Sequence, residues 1–181
     1  MSKIIIGLTG PIASGKGTIK KYIEEKYGGK DCRFSTALRD IANRIGIETN
    51  RTNLQTVSEM IRKYFGQDIL AKIIANDIKT LDSNIIVIDG VRRLADIEYL
   101  KDISGFILVK IDAKPEIRFE RMVKRNENKG DDKKTFEEFL ADHTRSDSDS
   151  EVPVVMEHAS KSINNDGDLQ DLYKQIDELL K

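Results

Sequence analysis

The sequence predicts an α/β fold, a three-layer sandwich of helices around a parallel sheet. Three observations carry that expectation. Residues 4–6 and 85–88 are unbroken β-branched runs, the composition of strands buried on both faces. Helical periodicity fills the stretches between such runs. A glycine-rich turn joins the first run directly to the first helix, as in a βα unit.

Taken in order, Ile4-Ile5-Ile6-Gly7-Leu8-Thr9 reads as the first strand. A helix follows in which Ile19, Tyr22, Ile23 and Tyr27 share a face, until Gly28-Gly29 stops it. Arg33-Phe34 ends a short second strand. From Ser35 to about Leu81 only helical spacing is present. Leu38, Ile41, Ala42 and Ile45 mark one helix closed by Gly46, and Leu54, Val57, Ile61 and Phe65 mark a second ending near Gly66. Ile69, Leu70, Ile73, Ile74 and Ile78 mark a third. Three helices exceed what one crossover needs, so residues 35–81 read as an inserted acceptor-binding region.

Residues 85–88 form the next strand and run into Asp89-Gly90-Val91-Arg92. Residues 106–111 form a fourth. Pro115 suits the first turn of a helix that continues through Phe119, Met122 and Val123 to about Asn126. The polar residues 126–132 read as a loop and 135–143 as another helix, so that residues 126–145 together make a short lid. Residues 160–164 give a last short strand. Leu169, Leu172, Tyr173, Ile176, Leu179 and Leu180 make an amphipathic closing helix. The whole length of 181 residues suits a single domain.

Composition narrows the function classes. Charged residues are 34% of the chain yet nearly cancel to a net −1, so any anion site must be local and nucleic acid is not an expected partner. Tryptophan is absent, which also weighs against stacking platforms for single strands. Cys32 is the sole cysteine and reads as a small buried hydrophobe on a strand, with no disulfide possible. The opening apolar run is too short for a signal peptide or a membrane span, so a cytoplasmic protein with no membrane partner is expected. His143 and His158 stand apart from any cysteine and read as structural or exposed.

The chemistry concentrates at Gly10-Pro11-Ile12-Ala13-Ser14-Gly15-Lys16-Gly17-Thr18. Small residues let backbone N–H groups turn inward as an anion cradle, and the following helix aims its N-terminal amides at the same point. Lys16 is placed to reach the β- and γ-phosphates of ATP. Gly10, Ala13, Ser14, Gly15, Gly17 and Thr18 are the other expected ATP contacts. The residue after Lys16 is Gly17, so the hydroxyl comes one position late, at Thr18. A Mg²⁺ ion accompanying ATP then rests mainly on phosphates and water, with Thr18 and Asp89 as the protein oxygens.

The Gly-Lys-Gly-Thr ending resembles that of adenylate kinase, and the chain resembles the P-loop nucleoside and deoxynucleoside monophosphate kinases over most of its length. Phe34-Ser35-Thr36-Ala37-Leu38-Arg39 resembles that group's acceptor-helix start. Residues Leu54-Gln55 through Arg62-Lys63-Tyr64-Phe65-Gly66 resemble the deoxynucleoside branch. Asp89-Gly90-Val91-Arg92 resembles the strand-end Asp-Gly-x-x-Arg, one residue shorter. Glu120-Arg121-Met122-Val123-Lys124-Arg125 resembles the arginine pair at the lid entrance. The resemblance implies Lys16, Asp89, Arg92 and Arg125 as catalytic residues, and Arg121, Asn165 and Gly167 as further ATP contacts. It implies Ser35, Thr36, Arg39, Arg62, Arg92 and Arg145 around the acceptor.

The residues support parts of this independently. Asp89 ends an apolar strand, where a carboxylate needs a cation. Arg92 can grip a phosphate bidentately, and Arg39 stands ready to hold it from the other side. Arg118, Arg121 and Arg125 share one helix face, which suggests an anion opposite them. The expected function is transfer of the ATP γ-phosphate to a nucleoside or deoxynucleoside monophosphate. Gly7-Leu8-Thr9-Gly10 and Ile163-Asn164-Asn165-Asp166-Gly167 also resemble dephospho-CoA kinase, the nearest alternative. That family places an aspartate after the second strand, where this chain has Ser35-Thr36. Asn128-Lys129-Gly130-Asp131 matches the guanine-reading pattern of GTP switches but follows a charged helix instead of a buried strand.

Overall fold

The computed structural model describes residues 3–126, 130–145 and 150–181, without the side chains of residues 142–145. Five strands form one parallel sheet: β1 (Ile4–Thr9), β2 (Lys30–Arg33), β3 (Ile85–Asp89), β4 (Phe106–Asp112) and β5 (Lys161–Asn164), in the order β2-β3-β1-β4-β5. The central strand β1 lies between β3 and β4, with Leu8 level with Asp89 and Thr9 level with Lys110. All five carboxyl ends therefore share one edge, which sets where the first loop opens.

Helices cover both faces. On one side α1 (Lys16–Tyr27) and α9 (Leu169–Leu179) pack Ile19, Ile23, Leu172 and Ile176 against Ile6, Leu8, Val109 and Ile111. On the other, α2 (Phe34–Arg44), α3 (Arg51–Phe65), α4 (Ile69–Thr80), α5 (Leu94–Leu100) and α8 (Val152–Glu157) enclose a second core, with Leu70, Ile74 and Ile78 of α4 against Ile5, Ile86 and Ile88. Each fully buried Ile or Leu contributes about 2 kcal/mol, so the central strands are fixed from both faces. Beyond β4, α6 (Pro115–Arg125) leads to a 3-10 turn at Asp131–Lys133 and to α7 (Phe136–Arg145). Phe119, Phe136 and Phe139 join α6 to α7 with ring centroids 5.5 to 6.4 Å apart.

The α/β sandwich and its parallel sheet agree with the sequence reading, and the departures have local causes. Phe34 opens α2 instead of ending β2, because its side chain is buried in the core below that helix. Phe65 was expected on the inner face of α3, yet it is 70% exposed beside Tyr64. Helix α3 buries only a narrow stripe around Val57. Helices α5 and α8 were not anticipated: seven and six residues are too short to show a periodic face. The loop expected at residues 126–132 holds the start of the 3-10 turn. Cys32 is buried on β2 as expected, and burial pushes its thiol up to about 12. Among the described residues no helix is long and apolar enough to cross a membrane.

Candidate nucleotide site

At the carboxyl end of β1 the chain turns through residues 10–15 into α1. Three backbone positions there have positive φ: Gly10 at 147°, Ala13 at 60° and Gly15 at 108°. The two glycines are required. An added Cβ would lie 2.2 Å from the Ile111 carbonyl oxygen at Gly10 and 2.1 Å from Asn165 Nδ2 at Gly15. The loop is thus pressed against β4 on one side and the β5–α9 turn on the other. Lys16 opens α1 and folds its ammonium back over the loop, donating to Gly10 O at 2.6 Å and Pro11 O at 2.9 Å. The Thr9 and Ser14 hydroxyls are buried at the start and middle of this turn without hydrogen-bond partners among the described residues. A tight bend with three positive-φ residues, a lysine and two orphaned hydroxyls suits a polyphosphate.

Two side chains hold this loop from behind. Asn165 is 5% exposed; its Nδ2 donates to Ser14 O at 2.7 Å and its backbone N–H to Asp112 O at 2.8 Å. Asn165, expected from sequence to meet ATP, here has its amide on the loop backbone and braces the loop. Gly167 lies exposed in the same turn, before the α9 N-cap Asp168. Arg118, 6% exposed, donates from Nε to Ala113 O at 3.0 Å and from Nη1 to Ile12 O at 3.3 Å, with its guanidinium 5.4 Å from the Phe139 ring centre. Burial lowers its pKa. Arg118 binds the loop to α6 and α7, so the face of three arginines divides: one is structural.

Arg121, one turn on, is half-buried. Its Nη2 makes a long contact of 3.5 Å with Asn165 Oδ1, and its Nη1 is buried without a partner among the described residues. Arg125 is exposed at the last residue of α6. The sequence-predicted cations Lys16 and Arg121 thus border one loop, linked through Asn165 and Ser14.

The neighbouring carboxylate comes from β3. Asp89 ends that strand level with Leu8 and Arg33, at the same sheet edge as the loop. Its Oδ2 lies 3.0 Å from Lys20 Nζ, which also meets Asp31 at 2.8 Å. Lys20 is only 9% exposed. Arg33 completes the chain by donating to Asp31. Burial acts upward on Asp31, but hydrogen bonds from Lys20 and Arg33 outweigh it and bring its carboxyl below the usual aspartate range. Lys20 was missed in the sequence. Its position four residues after Lys16 on α1 was the only available signal, because its partners sit on two strands.

The residues expected around an acceptor divide in the same way. Ser35 and Thr36 lie in the first turn of α2, and Arg39 donates from Nη1 to Ser35 Oγ at 2.8 Å. The Phe34 ring lies near Gly90, where an added Cβ would be 3.8 Å from its Cδ2. The start of α2 and the turn after β3 are therefore adjacent. Arg92 is exposed on that turn. Arg62 lies inward: it is 5% exposed, donates from Nη2 to Asp96 Oδ1 at 2.9 Å and from Nη1 to Gln67 O, and is an internal ion-pair partner in this structure. Asp96 itself was not foreseen. Burial is the largest influence on its carboxyl and raises it, with Arg62 acting in the opposite direction. Arg145 ends α7, and its side chain lies outside the described residues, as do Asn128 and Lys129.

Thr18 and Asp89 are hard oxygen donors near the loop. No group of three or more His, Cys, Asp or Glu that could hold a metal by itself occurs among the described residues. This donor set suits Mg²⁺ carried in with a nucleotide, with most ligands supplied by phosphate and water.

A five-stranded parallel sheet with a Gly-Lys loop at the end of its central strand defines the P-loop kinase fold. The chain aligns over 97% of its length with a shikimate kinase from Bacteroides thetaiotaomicron, covering 96% of that chain, at TM-score 0.62 and 13% identity. A family model described as an AAA domain matches residues 6–150. The chain belongs to that family, and it also belongs with the UPF0200 proteins. It is 31% identical over 178 residues to a UPF0200 protein of Methanosarcina barkeri, covering 97% of this chain and 94% of the relative. It is 30% identical over 180 residues to a UPF0200/UPF0201 protein of Archaeoglobus fulgidus, covering 97% of this chain but 54% of that relative. This chain thus spans about half the length of the Archaeoglobus protein.

Proposed function

We propose that this protein transfers the γ-phosphate of ATP to a nucleoside or deoxynucleoside monophosphate. The observation that carries the reading is the shared sheet edge: the Lys16 loop, Asp89, the start of α2 with Arg39 and the turn bearing Arg92 all open there. In this reading the loop amides and Lys16 hold the β- and γ-phosphates, and Thr18 and Asp89 hold Mg²⁺ directly or through water. Bound there, the ion would offset charge on the nucleotide phosphates. Arg121 and Arg125 offset charge that develops as the phosphoryl group passes between oxygens. Ser35, Thr36, Arg39 and Arg92 bind the acceptor. Residues 35–81 form the acceptor-binding insert and residues 126–145 a lid that excludes water on closing. Gly167 lies in the turn beside the nucleotide.

The acceptor class follows from charge. A monophosphate is already anionic and needs no strong base, whereas a hydroxyl acceptor requires one. The two carboxylates near the loop, Asp31 and Asp89, both engage Lys20 at 2.8 and 3.0 Å, which ties up the obvious bases. That weighs against a dephospho-CoA kinase. The switch alternative is also disfavoured, because Asp131, the last residue of the guanine-type pattern, is 2% exposed. The test is ADP release from ATP·Mg²⁺ across ribo- and deoxynucleoside monophosphates, with dephospho-CoA and GTP hydrolysis as controls. Release stimulated by one or more monophosphates supports the proposal. Stimulation by dephospho-CoA alone, or GTP turnover without an acceptor, overturns it.

A further inference from the structure

The amide of Asn165 has a donor side and an acceptor side, and the two face different elements. Its Nδ2 donates to Ser14 O at 2.7 Å, while its Oδ1 lies 3.5 Å from Arg121 Nη2 on α6. Only one orientation of the group satisfies both neighbours, and a carboxylate of the same shape could satisfy only the arginine. The backbone of Asn165 is fixed separately: its N–H donates to Asp112 O at 2.8 Å, where β4 and β5 end side by side. With 5% exposure, the side chain is a short arm anchored on the sheet edge.

The carbonyl that this arm holds decides where the next N–H points. The Ser14–Gly15 peptide is trans and planar, so its C=O and its N–H lie on opposite sides. With Ser14 O drawn to Asn165, the Gly15 N–H is turned away from the β5–α9 turn. It donates to no backbone carbonyl among the described residues. Gly15 is also the N-cap of α1, a position whose N–H has no helical partner. A glycine at φ 108° has no side chain to bar rotation of this peptide, so its direction needs an outside hold. Asn165 Nδ2 supplies one from 2.1 Å off the place a Cβ would take. Ser14 is fully buried, and its hydroxyl is a second donor without a partner among the described residues.

We propose that Asn165 is a positioning residue of the nucleotide site: by holding the Ser14 carbonyl it aims the Gly15 N–H at the nucleotide phosphates. The inference rests on the ATP reading above for the role of the loop, while the direction of the peptide has its own readout. Asn165 thus acts on the nucleotide through one peptide bond of the loop. Donating to Ser14 O is the property that matters, and it separates asparagine from aspartate at this position.

The test compares wild type with Asn165→Asp and Asn165→Ala in isotope-labelled full-length chain. Asn165→Asp keeps the volume and the acceptor toward Arg121 but sets a carboxylate oxygen against Ser14 O. It is expected to weaken binding of ATP·Mg²⁺ and of inorganic triphosphate by roughly 10- to 100-fold, the worth of one hydrogen bond to a charged group. Asn165→Ala should fall between. For whichever monophosphate is phosphorylated, the acceptor KM should stay within about twofold. In wild type ATP should move the Gly15 amide resonance, and in Asn165→Asp that response should be lost. ATP binding by Asn165→Asp within about threefold of wild type overturns the proposal. So does equal loss of ATP and acceptor affinity, or a Gly15 amide that ignores ATP in wild type. If wild type binds neither ATP nor triphosphate, the nucleotide reading fails on its own account and the Ser14 carbonyl carbon resonance decides the hold. A shift there in Asn165→Asp supports the hold, and an unchanged resonance overturns it. If Asn165→Asp does not fold, Asn165→Ala carries the same comparison without the repulsion.

Discussion

On the nucleotide side of the cleft the peptide backbone carries the geometry: Gly10 and Gly15 hold φ values of 147° and 108°, and β4 and Asn165 leave no room for a side chain at either. Around the loop and over residues 35–96 charged side chains from distant parts of the sequence carry it, with Arg62 meeting Asp96 across 34 residues and Lys20 meeting Asp89 across two elements. The first region tolerates almost no change at a few adjacent positions. The second depends on partners that can be exchanged in pairs. Single substitutions should therefore act sharply in one and by degrees in the other.

The largest effect is expected at the loop lysine. Lys16→Ala removes the cation proposed to face the transferred phosphate and should lower turnover about 100- to 1000-fold, while denaturation shifts by about 1 kcal/mol at most. Parallel loss of stability and turnover would assign Lys16 to the fold. Gly15→Ala comes next, because it meets both a positive φ and Asn165. Urea denaturation should show a loss of about 2 kcal/mol, accompanied by weaker ATP binding. An unchanged midpoint would show that the Asn165 brace yields easily.

Lys20→Met examines the side-chain half of the contrast. It leaves Asp31 and Asp89 facing each other without their shared cation. Because these carboxylates are 35% and 27% exposed, water softens the loss to about 1–2 kcal/mol. No change in stability would mean that the chain Arg33–Asp31–Lys20–Asp89 is incidental. The smallest effect is at Gly17, the one loop-adjacent glycine with nothing within 4 Å of an added Cβ. Gly17→Ser should stabilise α1 by about 0.5 kcal/mol in thermal denaturation, since serine is the better helix residue. Destabilisation there would contradict the open space beside α1.

The same contrast explains what could be read before the structure was known. The loop was legible because backbone requirements leave contiguous marks: a β-branched strand, glycines at fixed spacing, a lysine and then an amphipathic helix. The sheet was legible for a related reason, since two-sided burial forces apolar runs at residues 4–9 and 85–88. The burial of Arg62 was not legible, because an arginine in a motif-like stretch looks the same whether it faces solvent or is buried against Asp96. Lys20, Asp96 and the bracing roles of Asn165 and Arg118 depend on residues brought together only by the sheet order. Helices α5 and α8 left no periodic trace because they are barely two turns long.

Phosphorus NMR of a reaction between ATP·Mg²⁺ and the stimulating nucleotide identifies the atom that receives the phosphoryl group. Transfer to a phosphate oxygen predicts a new phosphoanhydride pair of resonances, growing in step with ADP and absent with Lys16→Ala. A phosphomonoester signal from a hydroxyl acceptor, or inorganic phosphate alone, would contradict it.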